Sequence, residues 1–267
     1  MALNFWQSSH YLHWMKSLRL DDLKRINPKD VTLSIQEVES IHLAMISLME
    51  ELGARLHINQ IIICTAILMY RRFYLTQSFC DFDPRLVCGT SLFISSKIEE
   101  CQARLSDITT TLHELTTAYA EERENLFEFT EKDIIECEFF LIEAMQYDMI
   151  MHHPFPTLTK LYDEFEAEFP MDEHSFKMAW DLCLFTYRTH LIMLHPPFMI
   201  AHAVIFLTLM EASYNAYDML DRCNINAEMV VEIATEVQKS IDEHKELCSL
   251  QPVALKKLDD IVPDPFA

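Results

Sequence analysis

Asp83-Pro84-Arg85-Leu86-Val87-Cys88-Gly89-Thr90-Ser91-Leu92-Phe93-Ile94-Ser95-Ser96-Lys97-Ile98-Glu99-Glu100 decides the fold of this chain. Asp83 is a good helix N-cap and Pro84 suits the first helical position, so a helix begins here. Leu86, Val87, Leu92, Phe93 and Ile94 then point to different sides of the wheel, and Gly89, Ser91, Ser95 and Ser96 fill the gaps. A helix that is apolar or small all round is a buried helix. Its small residues let neighbouring helices approach closely, which places it at the centre of a bundle. It ends in Lys97, Glu99 and Glu100. The lysine suits a helix C-terminus, whereas each acid there opposes the macrodipole by about 0.3–1 kcal/mol. Two readings fit this charged tip: a core helix that surfaces, or a rigid rod presenting charge to a partner.

Outward from this stretch the pattern stays helical. Ser34-x-x-Glu37 is a capping box opening a helix to about Leu52, with Gly53 at its end. Ile58 to Leu75 forms a second helix, apolar at first and basic at Arg71-Arg72. After the central helix, Ser106 caps a fourth through about Ala118, and Thr130-x-x-Asp133 caps a fifth through about Tyr147. His152-His153-Pro154-Phe155-Pro156 breaks the pattern, and helices resume at about 157–168, 173–194, 197–212, 215–220 and 227–247. Upstream, Phe5 to Met15 has apolar residues at three- and four-residue spacing and reads as a short surface helix, followed by a polar linker.

The two halves echo each other. Pro84, Leu86, Val87 and Phe93 align with Pro197, Met199, Ile200 and Phe206 at one offset, which points to a duplicated all-α unit. At that offset Lys97 falls on Met210, so the charge belongs to the first half alone. The expected organisation is an N-terminal helix and linker over 1–33, a first five-helix repeat over 34–149 and a second over 150–248. A loose tail over 249–267 would follow, carrying Pro252, Pro263 and Pro265.

Composition narrows the function. Only two glycines among 267 residues argue against a β-rich or α/β architecture, whose turns need them. A formal net charge of −21 repels phosphate and disfavours direct nucleic-acid contact. The eight cysteines show no CxxC spacing and sit in apolar segments, as reduced core thiols do. Thr189 to Met210 lacks Asp, Glu, Lys and Arg over a near-membrane length, but Pro196-Pro197 divides it and three histidines interrupt it. It reads as the end of one buried helix, a turn and a second buried helix.

Catalytic chemistry finds little support. Glu39-x-x-His42 matches half of a di-iron carboxylate motif without its second ExxH. HExxH, GxSxG and a glycine-rich phosphate loop are all missing from the sequence. No metal or cofactor is expected; a metalloenzyme resting on the lone ExxH is the remote alternative. Glu136 and Glu138 diverge around their helix and cannot share a proton. Glu138 is more informative. It falls within an apolar face made by Ile134, Leu141, Ile142 and Met145, opposite Glu136, Glu143 and Tyr147. A carboxylate there either reaches the edge of the face or is paired, since an unpaired buried charge costs several kcal/mol. Lys97 is the candidate companion.

At these residues the sequence resembles the cyclin family. Ser95 to Glu100 resembles the end of the third helix of the first cyclin box, and Glu138 falls where the fifth helix carries its acid. Asn4-Phe5-Trp6-Gln7-Ser8-Ser9-His10-Tyr11 is similar to the start of the C-type, Mediator-kinase branch. So are Arg71-Arg72-Phe73-Tyr74, Glu136-Cys137-Glu138-Phe139, Tyr187-Arg188-Thr189 and Pro196 to Ala201, and the likeness covers about 1–248. It implies two cyclin boxes, no catalytic activity, a nuclear location, and activation of a Mediator-type cyclin-dependent kinase acting on RNA polymerase II transcription. Other Mediator kinase-module subunits would be further partners; no membrane or nucleic acid would be.

By the same resemblance Lys97, Glu138, Glu99, Glu100 and Phe93 would meet the kinase; Phe5, Trp6, Tyr11 and Trp14, too aromatic to be left in solvent, are expected to pack partly on the body and partly on the kinase or another subunit. A groove of the second box would include Trp180, Leu184 and Phe185; Leu184-Phe185 replaces the polar pair usual there, and His190 stands where an acid is usual. The alternatives are an H-type activator of another transcriptional kinase and a TFIIB-like scaffold.

Overall fold

The computed structural model describes residues 4–119, 129–165 and 173–262, and every regular element among them is helical. They fall into two compact units. One takes the described residues of Asp21–Met149 and Glu246–Ala267, the other those of Met1–Leu20 and Ile150–Lys245.

The first unit holds α1 (Ile35–Arg55), α2 (Gln60–Phe73), α3 (Pro84–Ile98), α4 (Leu105–Tyr119) and α5 (Glu131–Ala144). Three of the start signals act as read. Ser34 with Glu37, and Thr130 with Asp133, close reciprocal capping boxes, and the Asp83 carboxylate accepts from the Arg85 N–H. Central α3 packs against the other four helices of the unit, with Val87 through Ser96 all buried. Gly89 explains part of that closeness: a Cβ there would lie 2.8 Å from Leu112 Cδ2 on α4.

Two helix boundaries differ from the reading. Gly53 lies inside α1, where Ile63 of α2 occupies the space a Cβ would take. The left-handed residue that ends this helix is His57, at φ 52°, with Ile58 N–H bonded to Gly53 O at 2.8 Å. Ser106 is likewise inside α4, because the Ile108 N–H already bonds Arg104 O; its hydroxyl turns to Asp107 instead.

The second unit holds α6 (Phe155–Phe165), α7 (Glu173–Phe185), α8 (Pro197–Glu211), α9 (Ala216–Cys223) and the first part of α10 (Ala227–Ile261). Here α8 is the buried rod, packed against α6, α7 and α9. The helix read over 173–194 stops at Phe185, and a 3-10 turn at Thr186–Arg188 and a single turn at Leu191–Leu194 replace its end. Thr186 Oγ1 donates to Cys183 O at 2.6 Å and Thr189 Oγ1 to Thr186 O at 2.8 Å, so side-chain hydroxyls compete with the helical ladder. Pro196-Pro197 divides the uncharged stretch, and no described helix is long and apolar enough to cross a membrane.

The segment read as a loose tail is helical as far as Ile261, with Pro252 inside the helix. Packing within the first unit outweighs the proline. Ala254 and Leu258 are fully buried, Ser40 Oγ donates to Leu247 O at 2.8 Å, and Lys257–Glu37 and Arg85–Asp259 ion pairs close at 2.6 and 2.9 Å. Pro263 and Pro265 lie outside the described residues.

The N-terminal segment is a 3-10 turn at Phe5–Gln7 followed by a wide turn at His10–Met15, in which Lys16 N–H reaches Tyr11 O. It packs within the second unit. His10 Nδ1 accepts from the His152 N–H at 2.9 Å, and the Phe5 ring meets His152 and Phe198 edge-on.

Candidate protein–protein interface

Lys97 is the last-turn lysine of α3, and its position follows from the burial of that helix up to Ser96. Beyond it the chain turns sharply. Glu100 takes a left-handed conformation at φ 55°, and Cys101 N–H closes on Ser96 O at 3.0 Å. Glu138 is positioned by α5, whose Ile134, Cys137 and Leu141 are buried, as is Met145 at its C-terminal end. The two meet as the sequence suggested: Lys97 Nζ donates to Glu138 Oε1 at 2.7 Å and Oε2 at 2.9 Å. The ammonium also stands 3.9 Å above the centre of the Phe93 ring. Side-chain exposure is 35% for Lys97 and 18% for Glu138, so the pair lies at the surface and neither charge is stranded.

Phe93 differs from the expectation. At 6% exposure it is the floor beneath Lys97 rather than contact surface, because α3 turns it into the core. The residues that instead offer apolar surface are Ile135, Phe140 and above all Phe139, 71% exposed on α5 beside Glu138. Sequence reasoning passed over them by assigning α5 a single apolar face. The available signal was the run Glu138-Phe139-Phe140-Leu141-Ile142, more apolar than one buried stripe requires. Glu99 and Glu100 are both exposed, and Glu99 accepts from the Thr65 hydroxyl at 3.1 Å.

The remaining sequence candidates form separate groups in the second unit. Phe5, Tyr11 and Trp14 are half-buried, while Trp6 is exposed and packs edge-on to Tyr11 and Phe198. Trp180 and Leu184 share one face of α7, with the Trp180 ring 4.6 Å from that of Phe155. Phe185 meets His244 of α10 instead, with ring centres 5.4 Å apart. The half-motif residue His42 is buried, with Nδ1 3.1 Å from the Tyr70 hydroxyl. No three His, Cys, Asp or Glu side chains among the described residues are grouped to hold a metal.

A charged pair on an apolar surface fits the backbone of another protein's helix, whose free N–H and C=O groups need an acceptor and a donor. Comparison with known proteins identifies the family. Residues 13–150 match the family model of the cyclin N-terminal domain. Cyclin-C of Rattus norvegicus is 32% identical over 261 residues, covering 94% of this chain and 89% of the rat protein. Cyclin-C1-2 of Arabidopsis thaliana is 28% identical over 248 residues, covering 92% and 93%. Among solved structures, a chain of the ATP-γ-S-bound CAK complex of Chaetomium thermophilum is 19% identical. It superposes with a TM-score of 0.74 over 98% of this chain and 89% of its own. A chain of the yeast TFIIK (Kin28/Ccl1/Tfb3) complex is 18% identical, with a TM-score of 0.69 over 88% and 99%. The structures establish the shared fold. The domain model, matching more than half the sequence, and the rat protein, above 30% identity along nearly its whole length, place this chain in the cyclin family.

Proposed function

We propose that this cyclin is the regulatory subunit that binds and activates a cyclin-dependent kinase of the Mediator kinase module, in the nucleus, and so acts on RNA polymerase II transcription. The observation that carries the reading is the Lys97–Glu138 pair beside exposed Ile135 and Phe139. A helix of the kinase would lay its apolar side on Phe139 and its backbone groups on the pair. Held inward, that helix brings its glutamate to the kinase's catalytic lysine, which is the activating step. Glu99 and Glu100 would face arginines near the activation loop. The Phe5–Trp14 segment and the Trp180–Leu184 face would serve other subunits of the module. The chain itself performs no chemistry.

The H-type alternative receives some support from fold likeness to chains of the CAK and TFIIK complexes. The greater identity to Cyclin-C favours the Mediator type. The test is co-expression with a Mediator-type kinase and, separately, with a CAK-type kinase, followed by copurification and phosphorylation of an RNA polymerase II tail peptide. Stable pairing and activation only with the Mediator-type kinase is the expected outcome. Pairing only with the CAK-type kinase reassigns the partner, and activation by neither overturns the proposal.

A further inference from the structure

The second unit contains a counterpart of the Lys97 surface with different chemistry. At the offset that places Pro84 on Pro197, Phe93 falls on Phe206, and both are 6% exposed; Lys97 falls on Met210, 49% exposed. The fifth helices align through their caps. Thr130 accepts from the Asp133 N–H, as Asn226 does from the Met229 N–H. In that register buried Ile134, Cys137 and Leu141 fall on buried Val230, Ile233 and Val237. Glu138 falls on Ala234, Ile135 on Val231, Lys132 on Glu228 and Glu136 on Glu232.

The paired charges of the first unit thus become Met210 and Ala234, and acids take the neighbouring positions. Where Tyr217 packs on Phe206 of α8, an open cleft of about 460 Å³ is lined by Tyr217 of α9 and by Ala227, Glu228, Val231 and Glu232 of α10. Tyr217 is 51% exposed and packs edge-on to Phe206. Glu228 and Glu232 are exposed and stand one helical turn apart, about 6 Å along the axis. Glu232 is near enough to His195 to favour its charged form, while Glu228 makes no ion pair among the described residues.

We propose that this cleft docks a basic amphipathic helix of a partner protein. An apolar anchor would fill the space between Tyr217, Ala227 and Val231. Lys or Arg residues one turn apart on that helix have the same spacing as Glu228 and Glu232, so both carboxylates can be matched without bending either element. An acidic helix is excluded by the same two carboxylates. The site is independent of the Lys97 surface, which presents donor and acceptor together and selects a different helix.

The probe is a pair of synthetic helices of about 18 residues, both with leucines at three- and four-residue spacing. One carries Lys and Arg beside the leucine stripe, the other Glu at the same positions. Binding of each to the purified full chain is read by fluorescence anisotropy at about 0.15 M salt, where charges beyond about 8 Å are screened. The basic helix should bind at least about tenfold more tightly, a difference of about 1.4 kcal/mol. Glu228→Lys with Glu232→Lys should reverse that preference. Val231→Ser, which removes the apolar contact without adding charge, should weaken the basic helix about tenfold; exposed Tyr217→Ala, which leaves the core intact, should do the same. Failure of both peptides to bind the native chain overturns the proposal. So does an unchanged preference in the double-lysine variant, which would assign the attraction to the chain's overall charge of −21.

Discussion

Lys97 and Glu138 are bound to each other in the free chain, and this sets what their removal costs. A part-exposed pair contributes at most about 1 kcal/mol to folding. Lys97→Ala or Glu138→Ala should therefore leave the urea midpoint of the free chain almost unmoved. In the kinase complex, truncating one member strands the other under a partner, which costs roughly 2–5 kcal/mol, or about 30- to 4,000-fold in affinity. Calorimetric titration of kinase with the single and double variants should show less than additive losses. Binding within about threefold by both single variants would move the interface elsewhere. Gly89 makes the opposite case, a residue whose importance is internal. Gly89→Leu forces α4 away from α3 and should cost about 1–3 kcal/mol in chemical denaturation. The ion pair was legible because Glu138 broke an apolar pattern and Lys97 ended one. The exposure of Phe139 was not, because an apolar residue on a helix carries no mark of whether core or solvent will face it.

At the scale of elements, the helix starts at Ser34, Asp83 and Thr130 were legible, the one read at Ser106 was not, and helix ends depended on packing. Starts are written in side chains that cap: Ser34, Asp83 and Thr130 each accept from a backbone N–H. Ends depend on neighbours. α1 continues past Gly53 because α2 needs that glycine's missing Cβ, and α10 continues past Pro252 because α1 and α3 hold its far end. That far end makes two measurable contributions. Leu258→Ala should cost about 2–5 kcal/mol of stability, the range for a fully buried leucine. The hydrogen bond from Lys257, aided by the Ser34 N–H, lowers the Glu37 carboxyl pKa below its ordinary 4.5. Its stabilising effect is therefore complete above about pH 4.5 and is lost as pH falls through the folded-state value. Lys257→Ala should flatten the acid limb of the stability profile; an unchanged limb would show that the pair does not hold the helix.

For the molecule as a whole, the two units differ in their histidines. His152, His195, His202 and His244 all belong to the second unit, and burial lowers the pKa of each below the ordinary value. Glu236 and Glu232 oppose the shift at His195, and Phe198 O and Glu164 oppose it at His202; Arg188 reinforces it at His244. With folded values depressed, the unfolded chain binds more protons below about pH 6.5, so stability is full above that pH and declines as pH falls. Scanning calorimetry between about pH 7.5 and about pH 5.5 should show the transition carrying the second unit move to lower temperature. A transition that holds or rises would mean these imidazoles remain solvated.

The sequence by itself determined the all-α class, the duplicated plan, the central helix of each repeat, the capped starts and the Lys97–Glu138 pairing. The class, the central helices and the capped starts follow from local periodicity or from side chains bonding within a few residues; the duplication follows from comparing the two halves, and the pairing from Glu138 interrupting an apolar face and Lys97 ending a buried helix. Only the tertiary structure decided the rest. It made Phe93 a floor and Phe139 a surface, carried α10 through Pro252, and packed the Phe5–Met15 segment within the second unit. The reason is common to all three: whether an apolar side chain is buried, or an unfavourable residue kept in a helix, depends on packing partners far away in the chain. Glu37 and Lys257 meet across most of the sequence, and no local pattern records that meeting.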